Sequence, residues 1–72
     1  MDNELIIIHS FTNDLWKWIK STDGMTEDRW EEVLEQAKTI ANDPKYASIK
    51  LMAIEWILAY ENHLEEKMYG KR

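Results

Sequence analysis

Apolar side chains recur with the period of an α-helix along most of the chain, and two short polar clusters interrupt this pattern. The clusters lie at residues 21–24 and 42–44, where Ser, Thr, Asn, Asp, Gly and Pro favour turns. We therefore expect helices over about residues 4–21, 27–41 and 44–69. The pattern predicts an all-α fold, a compact three-helix domain with a long C-terminal helix.

The first segment leaves one local ambiguity. Its apolar residues fill one half of the helical circumference, and only Ile6 lies on the polar side. Residues 5–8 read Leu-Ile-Ile-Ile, however, and β-branched side chains also favour strands. A strand here would need a partner chain. We expect a helix with Asp2 or Asn3 as its N-cap, and the strand is the alternative.

The second segment predicts a helix that packs on one side only. Thr26 is its expected N-cap, and acidic residues fill its first turn, where the positive end of the helix dipole favours them. Its apolar positions follow an i, i+3, i+4 spacing and cover about a third of the circumference. They are Trp30, Val33, Leu34, Ala37, Ile40 and Ala41.

The third segment is apolar on more than one side. Asp43 and Pro44 predict its start, and Gly70 predicts its end. Its main stripe comprises Tyr46, Ile49, Ala53, Trp56, Ile57, Tyr60 and Leu64. A second stripe, roughly a third of a turn away, comprises Ala47, Leu51, Ile54 and Leu58. A helix with two apolar stripes must be covered on two sides.

The second stripe has three interpretations. Helix three could be central, contacting helix one with one stripe and helix two with the other. Alternatively the second stripe, with Trp16 or Ile6, forms a self-association surface and the protein is a homodimer. The third interpretation is docking on another protein. Association is attractive because a domain of this size buries only about 60% of the surface that its unfolded chain exposes.

Length and composition exclude several classes of protein. The 72 residues have room for a single helical domain, residues 1–72. The absence of cysteine excludes disulfides and thiolate zinc sites. The apolar runs are too short for a membrane span or a secretory signal. We therefore expect a protein without a membrane partner that resides in the cytoplasm.

The charge is concentrated on the second segment. Of a formal net charge of −5, residues 21–42 contribute six acids against two bases. Their carboxylates would lie about 6 Å apart along the helix. Five of them define an acidic face, a candidate partner-binding surface: Glu27, Asp28, Glu31, Glu32 and Glu35. This face either is merely solvated or complements a basic groove of a host protein that normally holds nucleic acid.

Candidate chemistry is sparse. His9 and His63 are the only imidazoles, and neither lies in a metalloprotease or di-iron helix motif. Gly24 stands alone, so no glycine-rich loop can hold a phosphate. We expect no catalytic residues, no cofactor and no metal site, and hence no enzyme. The acidic charge also argues against direct nucleic-acid binding.

A small, acidic, cysteine-free helical chain resembles the accessory proteins encoded by bacteriophages and mobile elements. The resemblance rests on the size, charge and helical pattern of the whole chain. In that group, anti-CRISPR and other anti-defence proteins block a bacterial immune enzyme by occupying its surface, and some mimic nucleic acid. The resemblance implies an inhibitor that docks on a host defence protein in the host-cell cytoplasm.

The sequence thus predicts a non-catalytic protein-binding module that acts through the acidic face, the second stripe or both. One alternative is a structural homodimer or small assembly component, built on the second stripe with Trp16. The least favoured alternative is a DNA-binding regulator, which would need a basic face.

Overall fold

The computed structural model describes residues 2–70, of which 87% are helical. Helix α1 spans Asn3–Ser21, α2 spans Trp30–Ala41 and α3 spans Lys50–Tyr69. The described residues contain these three α-helices and no strand, which confirms the predicted all-α fold. Residues 5–8 lie within α1, so the strand alternative is wrong.

Two of the helices begin differently from the prediction. Short 3₁₀ segments at Glu27–Arg29 and Pro44–Ile49 lead into α2 and α3, where we expected α-helix. A 3₁₀ helix has three residues per turn, so side chains three apart point the same way. Tyr46 and Ile49 are three apart and both are buried. The tighter turn directs both into the core, whereas an α-helix would rotate them apart by about 60°.

Asp2, Asp43 and Gly70 lie at the ends of helical segments as the sequence predicts. The carboxylate of Asp2 accepts the N–H of Glu4 at 2.8 Å, and that of Asp43 accepts an N–H of the following turn at 3.1 Å. Gly70 ends α3 and donates its N–H to the Glu66 carbonyl at 2.8 Å. The φ of Gly70 is −76°. Glycine is favoured there by space, because a Cβ would collide with the Glu66 carbonyl oxygen.

The core lies where the three helices meet. The rings of Phe11 and Tyr46 meet edge to face with centroids 5.3 Å apart. The indole N–H of Trp18 donates to the carbonyl of Val33 at 3.1 Å and so joins α1 to α2. The connected buried cluster comprises Phe11, Trp18, Val33, Ala37, Tyr46, Ile49, Ala53 and Ile57. Helix α3 therefore packs against both neighbours, chiefly through its main stripe.

Two large side chains that we expected on buried sides of their helices are exposed. Trp56 belongs to the main stripe but is 43% exposed, and its ring centroid lies 6.0 Å from that of Phe11. Leu5, on the apolar half of α1, is 54% exposed. A neighbouring helix covers only part of a wide apolar stripe, so residues at its edge or end keep contact with solvent.

Candidate protein-binding surface

The second stripe lies on the outer side of α3 and is only partly covered by α2. Leu51 is 80% exposed and Leu58 is 49% exposed. Ala47 is exposed as well, whereas Ile54 is half-buried. Ile54 therefore lies partly shielded beside α2 but still borders an open groove, and the leucines on either side of it are open to solvent.

A groove of about 410 Å³ lies between α2 and α3 and adjoins the second stripe at Ile54 and Leu58. Its apolar lining comprises Leu34, Ala37, Ala41, Ile54, Ile57 and Leu58. Its polar lining comprises Lys38, Asn42 and Glu61. An apolar surface that joins exposed leucines to a groove and has a polar rim is typical of protein contact sites.

The rim of this groove carries charges of opposite sign at its two ends. At one end Lys50 donates a hydrogen bond to the side-chain oxygen of Asn42 at 3.1 Å. Three turns further along α3, partial burial raises the pKa of the Glu61 carboxyl. Within residues 2–70, neither Lys50 nor Glu61 forms an ion pair. Both charges are therefore open to a partner as far as the described residues are concerned.

The acidic face is exposed over its whole length. Its first two carboxylates lie in the 3₁₀ segment and the other three on α2, and all five residues are exposed. Ion pairs reduce its charge at two points: Glu32 lies 3.3 Å from Arg29, and Glu35 lies 3.6 Å from Lys38. Exposed pairs of this kind contribute at most about 1 kcal/mol and are screened by salt. The face remains negative and accessible.

Negative charge continues from the acidic face onto the end of α3. Thr26 occupies the predicted N-cap position, but its hydroxyl donates to the Asp28 carboxylate and accepts no backbone N–H. This hydrogen bond, followed by a backbone N–H and a nearby guanidinium, lowers the pKa of Asp28. Partial burial and then the charges of Glu27 and Glu65 raise the pKa of Tyr69. Glu27 of the acidic face and Glu65 of α3 thus both act on Tyr69 in the last turn of α3.

Trp16 is not part of the same surface as the second stripe. It lies on α1 and is 57% exposed, with the Lys20 ammonium 5.8 Å from its ring centroid. It lines a separate cavity of about 690 Å³, together with Tyr60 and Leu64 from the main stripe of α3. Ala47 and Leu51 line a groove that α1 borders, Ile54 and Leu58 line the groove that α2 borders, and Trp16 lines neither.

Sequence reasoning missed a polar network around Tyr46. The Tyr46 side chain is fully buried. Its hydroxyl donates to the Asp14 carboxylate and lies 3.2 Å from the Ser10 hydroxyl. The Lys45 ammonium lies 3.6 Å from Asp14. The signal was present in the sequence, because Ser10 and Asp14 are four apart on α1 and a core tyrosine needs a partner for its hydroxyl.

The geometry of this network favours a structural role over a catalytic one. Burial, and then the hydrogen bond to Asp14, raises the pKa of Tyr46 and so favours the protonated hydroxyl. In the described part of the chain, no three metal-ligating side chains come together.

No protein-family model, curated protein or solved structure matches this chain. Between residues 2 and 70, no helix has both the length and the apolar character needed to cross a membrane. The candidate surface is thus defined by its own geometry: exposed leucines, an adjoining groove and a rim with two signs of charge.

Proposed function

We propose that this chain is a non-catalytic protein-binding domain and that the second stripe with the adjoining groove is its contact surface. The observation that carries the proposal is the exposure of Leu51 and Leu58 on one helix, with Leu58 also lining an apolar groove. Single exposed apolar residues are common on proteins, but a contiguous apolar surface with a polar rim is typical of an interface. A partner that buries a leucine gains about 1.5–3 kcal/mol for each side chain fully covered.

Binding is favoured over catalysis by the state of the polar cluster around Tyr46. Tyr46, Asp14 and Ser10 are engaged with one another, so their polar atoms are occupied within the fold. The surface of the molecule instead exposes apolar side chains and charged groups, which are the features that a protein partner binds.

A second candidate function is inhibition of a nucleic-acid-binding host protein through the acidic face, as the resemblance to phage and mobile-element proteins implies. It is supported by the exposure of all five carboxylates and by the position of Glu31, one turn before Leu34 of the groove. A basic groove on a partner would contact this face while an apolar edge met the second stripe. Such binding would be fast and sensitive to salt.

The experiment that tests the first proposal is affinity capture from a bacterial lysate with matched variants. Leu51→Glu and Leu58→Glu place a charge on the second stripe, whereas Ile6→Glu does so on the outer side of α1, where Ile6 is 50% exposed. We expect a partner to be retained by the wild type and by Ile6→Glu and lost from the other two. Equal retention by all four proteins would remove the second stripe as the contact surface.

The second candidate is tested by charge reversal on the acidic face. Glu31→Lys and Glu35→Lys should weaken capture of a basic partner, and the effect should shrink as salt is raised. If capture survives both reversals without loss, the acidic face is only a solvated surface.

A further inference from the structure

We propose that the partner of this surface is a second copy of the same chain, whose α3 packs antiparallel against the second stripe about a two-fold axis near Ile54. The inference rests on the proposed protein-binding role and names its partner. It follows from two properties of α3: its exposed apolar residues are self-complementary, and the charges beside them are complementary only when the second copy runs in the opposite direction.

The apolar residues of the second stripe suit an antiparallel copy of themselves. A two-fold interface uses the same patch on both subunits, so each residue must meet a suitable residue of the same stripe. With the axis at Ile54, Leu51 of one copy lies level with the gap between Ile54 and Leu58 of the other. At 1.5 Å per residue, Leu51 is offset along the helix axis by about 5 Å from Ile54 and by about 1.5 Å from Leu58 of the other copy. In the dimer, Leu51 of each copy is thus covered by the second stripe of the other copy, and so is Leu58.

The charges on the rim give the direction of packing. Lys50 and Glu61 lie on the edge of the second stripe that faces α2. They are 11 residues apart, which separates them by about 16 Å along one helix and prevents a contact within the chain. In an antiparallel pair, Lys50 of one copy and Glu61 of the other are offset by only about 5 Å along the axis. A parallel pair would instead place Lys50 against Lys50.

The exposed area is also larger than expected for a monomer. The molecule exposes 5200 Å², whereas a folded monomer of 8.6 kDa is expected to expose about 4,700 Å². The shape is elongated, with extents of 43 × 22 × 16 Å, and the long helix α3 accounts for much of its length. A second copy along α3 would cover part of this excess.

One contact limits the strength of the dimer. Glu55 lies on the opposite edge of the second stripe, close to the proposed axis, and is exposed. There it would approach Glu55 of the second copy, and like charges repel. We therefore expect association that is weak and depends on protein concentration, and we expect Glu55→Gln to strengthen it.

Sedimentation equilibrium of the purified chain tests whether two copies of it associate. The apparent mass of the wild type should rise from 8.6 kDa towards twice that value as the concentration approaches the millimolar range. Leu51→Glu and Leu58→Glu should remain monomeric, and Ile6→Glu should behave as the wild type. Circular dichroism of each variant checks that its helices are intact.

Charge exchange tests the direction of packing. Lys50→Glu and Glu61→Lys should each weaken self-association by about tenfold, because two symmetric attractive contacts become repulsive. An equimolar mixture of the two variants should form a heterodimer of wild-type strength, since every contact is then between opposite charges. The double variant, which keeps the net charge of the wild type, should recover as well. Failure of the mixture to recover would overturn the antiparallel arrangement.

The outcomes separate this inference from the proposed function. A wild type that stays monomeric at every concentration overturns the second copy as partner, while capture that depends on the second stripe would still support the protein-binding role. Self-association that is insensitive to Leu51→Glu and Leu58→Glu, with capture equally insensitive, overturns both.

Discussion

At the scale of single residues, the tyrosines show how polar atoms are accommodated in a small core. The hydroxyl of Tyr46 contacts Asp14 and Ser10, and that of Tyr60 lies 2.6 Å from the Thr22 hydroxyl. Among the described residues, no buried side-chain nitrogen or oxygen lacks a hydrogen-bond partner. Since an unsatisfied buried polar atom costs about 1–3 kcal/mol, these contacts are what permits tyrosine at these positions.

Replacing Tyr46 with Phe should lower the free energy of unfolding by about 1–2 kcal/mol, because Asp14 and Ser10 lose their partner. Urea unfolding at neutral pH measures this change. Folding raises the pKa of Tyr46 above its ordinary value of 10.0. Its contribution to stability is therefore complete below that pH and is lost as the pH rises through the folded pKa. Tyr46→Phe should lack this part of the alkaline loss. An unchanged stability and an unchanged alkaline profile would show that the network contributes nothing.

Gly24 is the residue whose backbone conformation most restricts its identity. Its φ is +70°, the left-handed region, and a Cβ at this position would meet no atom within 4 Å. The cost of a side chain is therefore conformational alone. We expect Gly24→Ala to lower the free energy of unfolding by about 1–2 kcal/mol. Gly24→Asn should cost less, because asparagine tolerates this region. Thermal unfolding of both variants checks the order, and an alanine variant as stable as the wild type contradicts the turn geometry.

At the scale of elements, local signals predicted the helices but did not predict every turn within them. Asp2, Asp43 and Gly70 were readable as helix ends because capping depends on residues close in sequence. The 3₁₀ segment before α3 was not readable, because it is selected by the burial of Tyr46 and Ile49 in a core that other helices complete. Tertiary packing thus set the helix type where the local sequence allowed either.

The two stripes of α3 provide an internal comparison of buried and exposed positions on one helix. Ile57 on the main stripe is 4% exposed, and Leu51 on the second stripe is 80% exposed. Ile57→Ala should therefore lower the free energy of unfolding by about 2–5 kcal/mol. Leu51→Ala should change it by less than about 0.5 kcal/mol. Urea unfolding at a concentration where the chain is monomeric makes the comparison, and similar losses for both variants would contradict the packing of α3 described above.

At the scale of the whole molecule, the sequence predicted that α3 has two apolar stripes but not which one would be covered. That choice depends on the direction from which α2 approaches, and the approach is fixed by long-range contacts such as the Trp18–Val33 hydrogen bond. The direction from which α2 approaches α3 also places Leu34 in the groove wall and leaves Glu61 half-buried. The residues of the acidic face and the second stripe were identifiable in advance, whereas the groove between α2 and α3 was not.

Glu61 couples the stability of the monomer to its self-association. Burial raises the pKa of Glu61 above its ordinary value of 4.5. Folding therefore favours the protonated carboxyl, and the contribution of Glu61 to monomer stability is greatest below that pH and is lost as the pH rises through the folded pKa. Removing the charge relieves this effect at neutral pH. At the same time it deprives Lys50 of the second copy of its proposed partner.

Glu61→Gln should therefore move the two properties in opposite directions. In dilute solution, its free energy of unfolding at neutral pH should rise by about a few tenths of a kcal/mol, a small gain because the side chain is partly solvated. In sedimentation equilibrium, its self-association should weaken. The control is Glu55→Gln, which removes an exposed charge from the other edge of the second stripe and should leave monomer stability unchanged while tightening the dimer. If Glu61→Gln instead strengthens self-association as Glu55→Gln does, Glu61 faces no cation in the dimer, and the antiparallel contact with Lys50 is wrong.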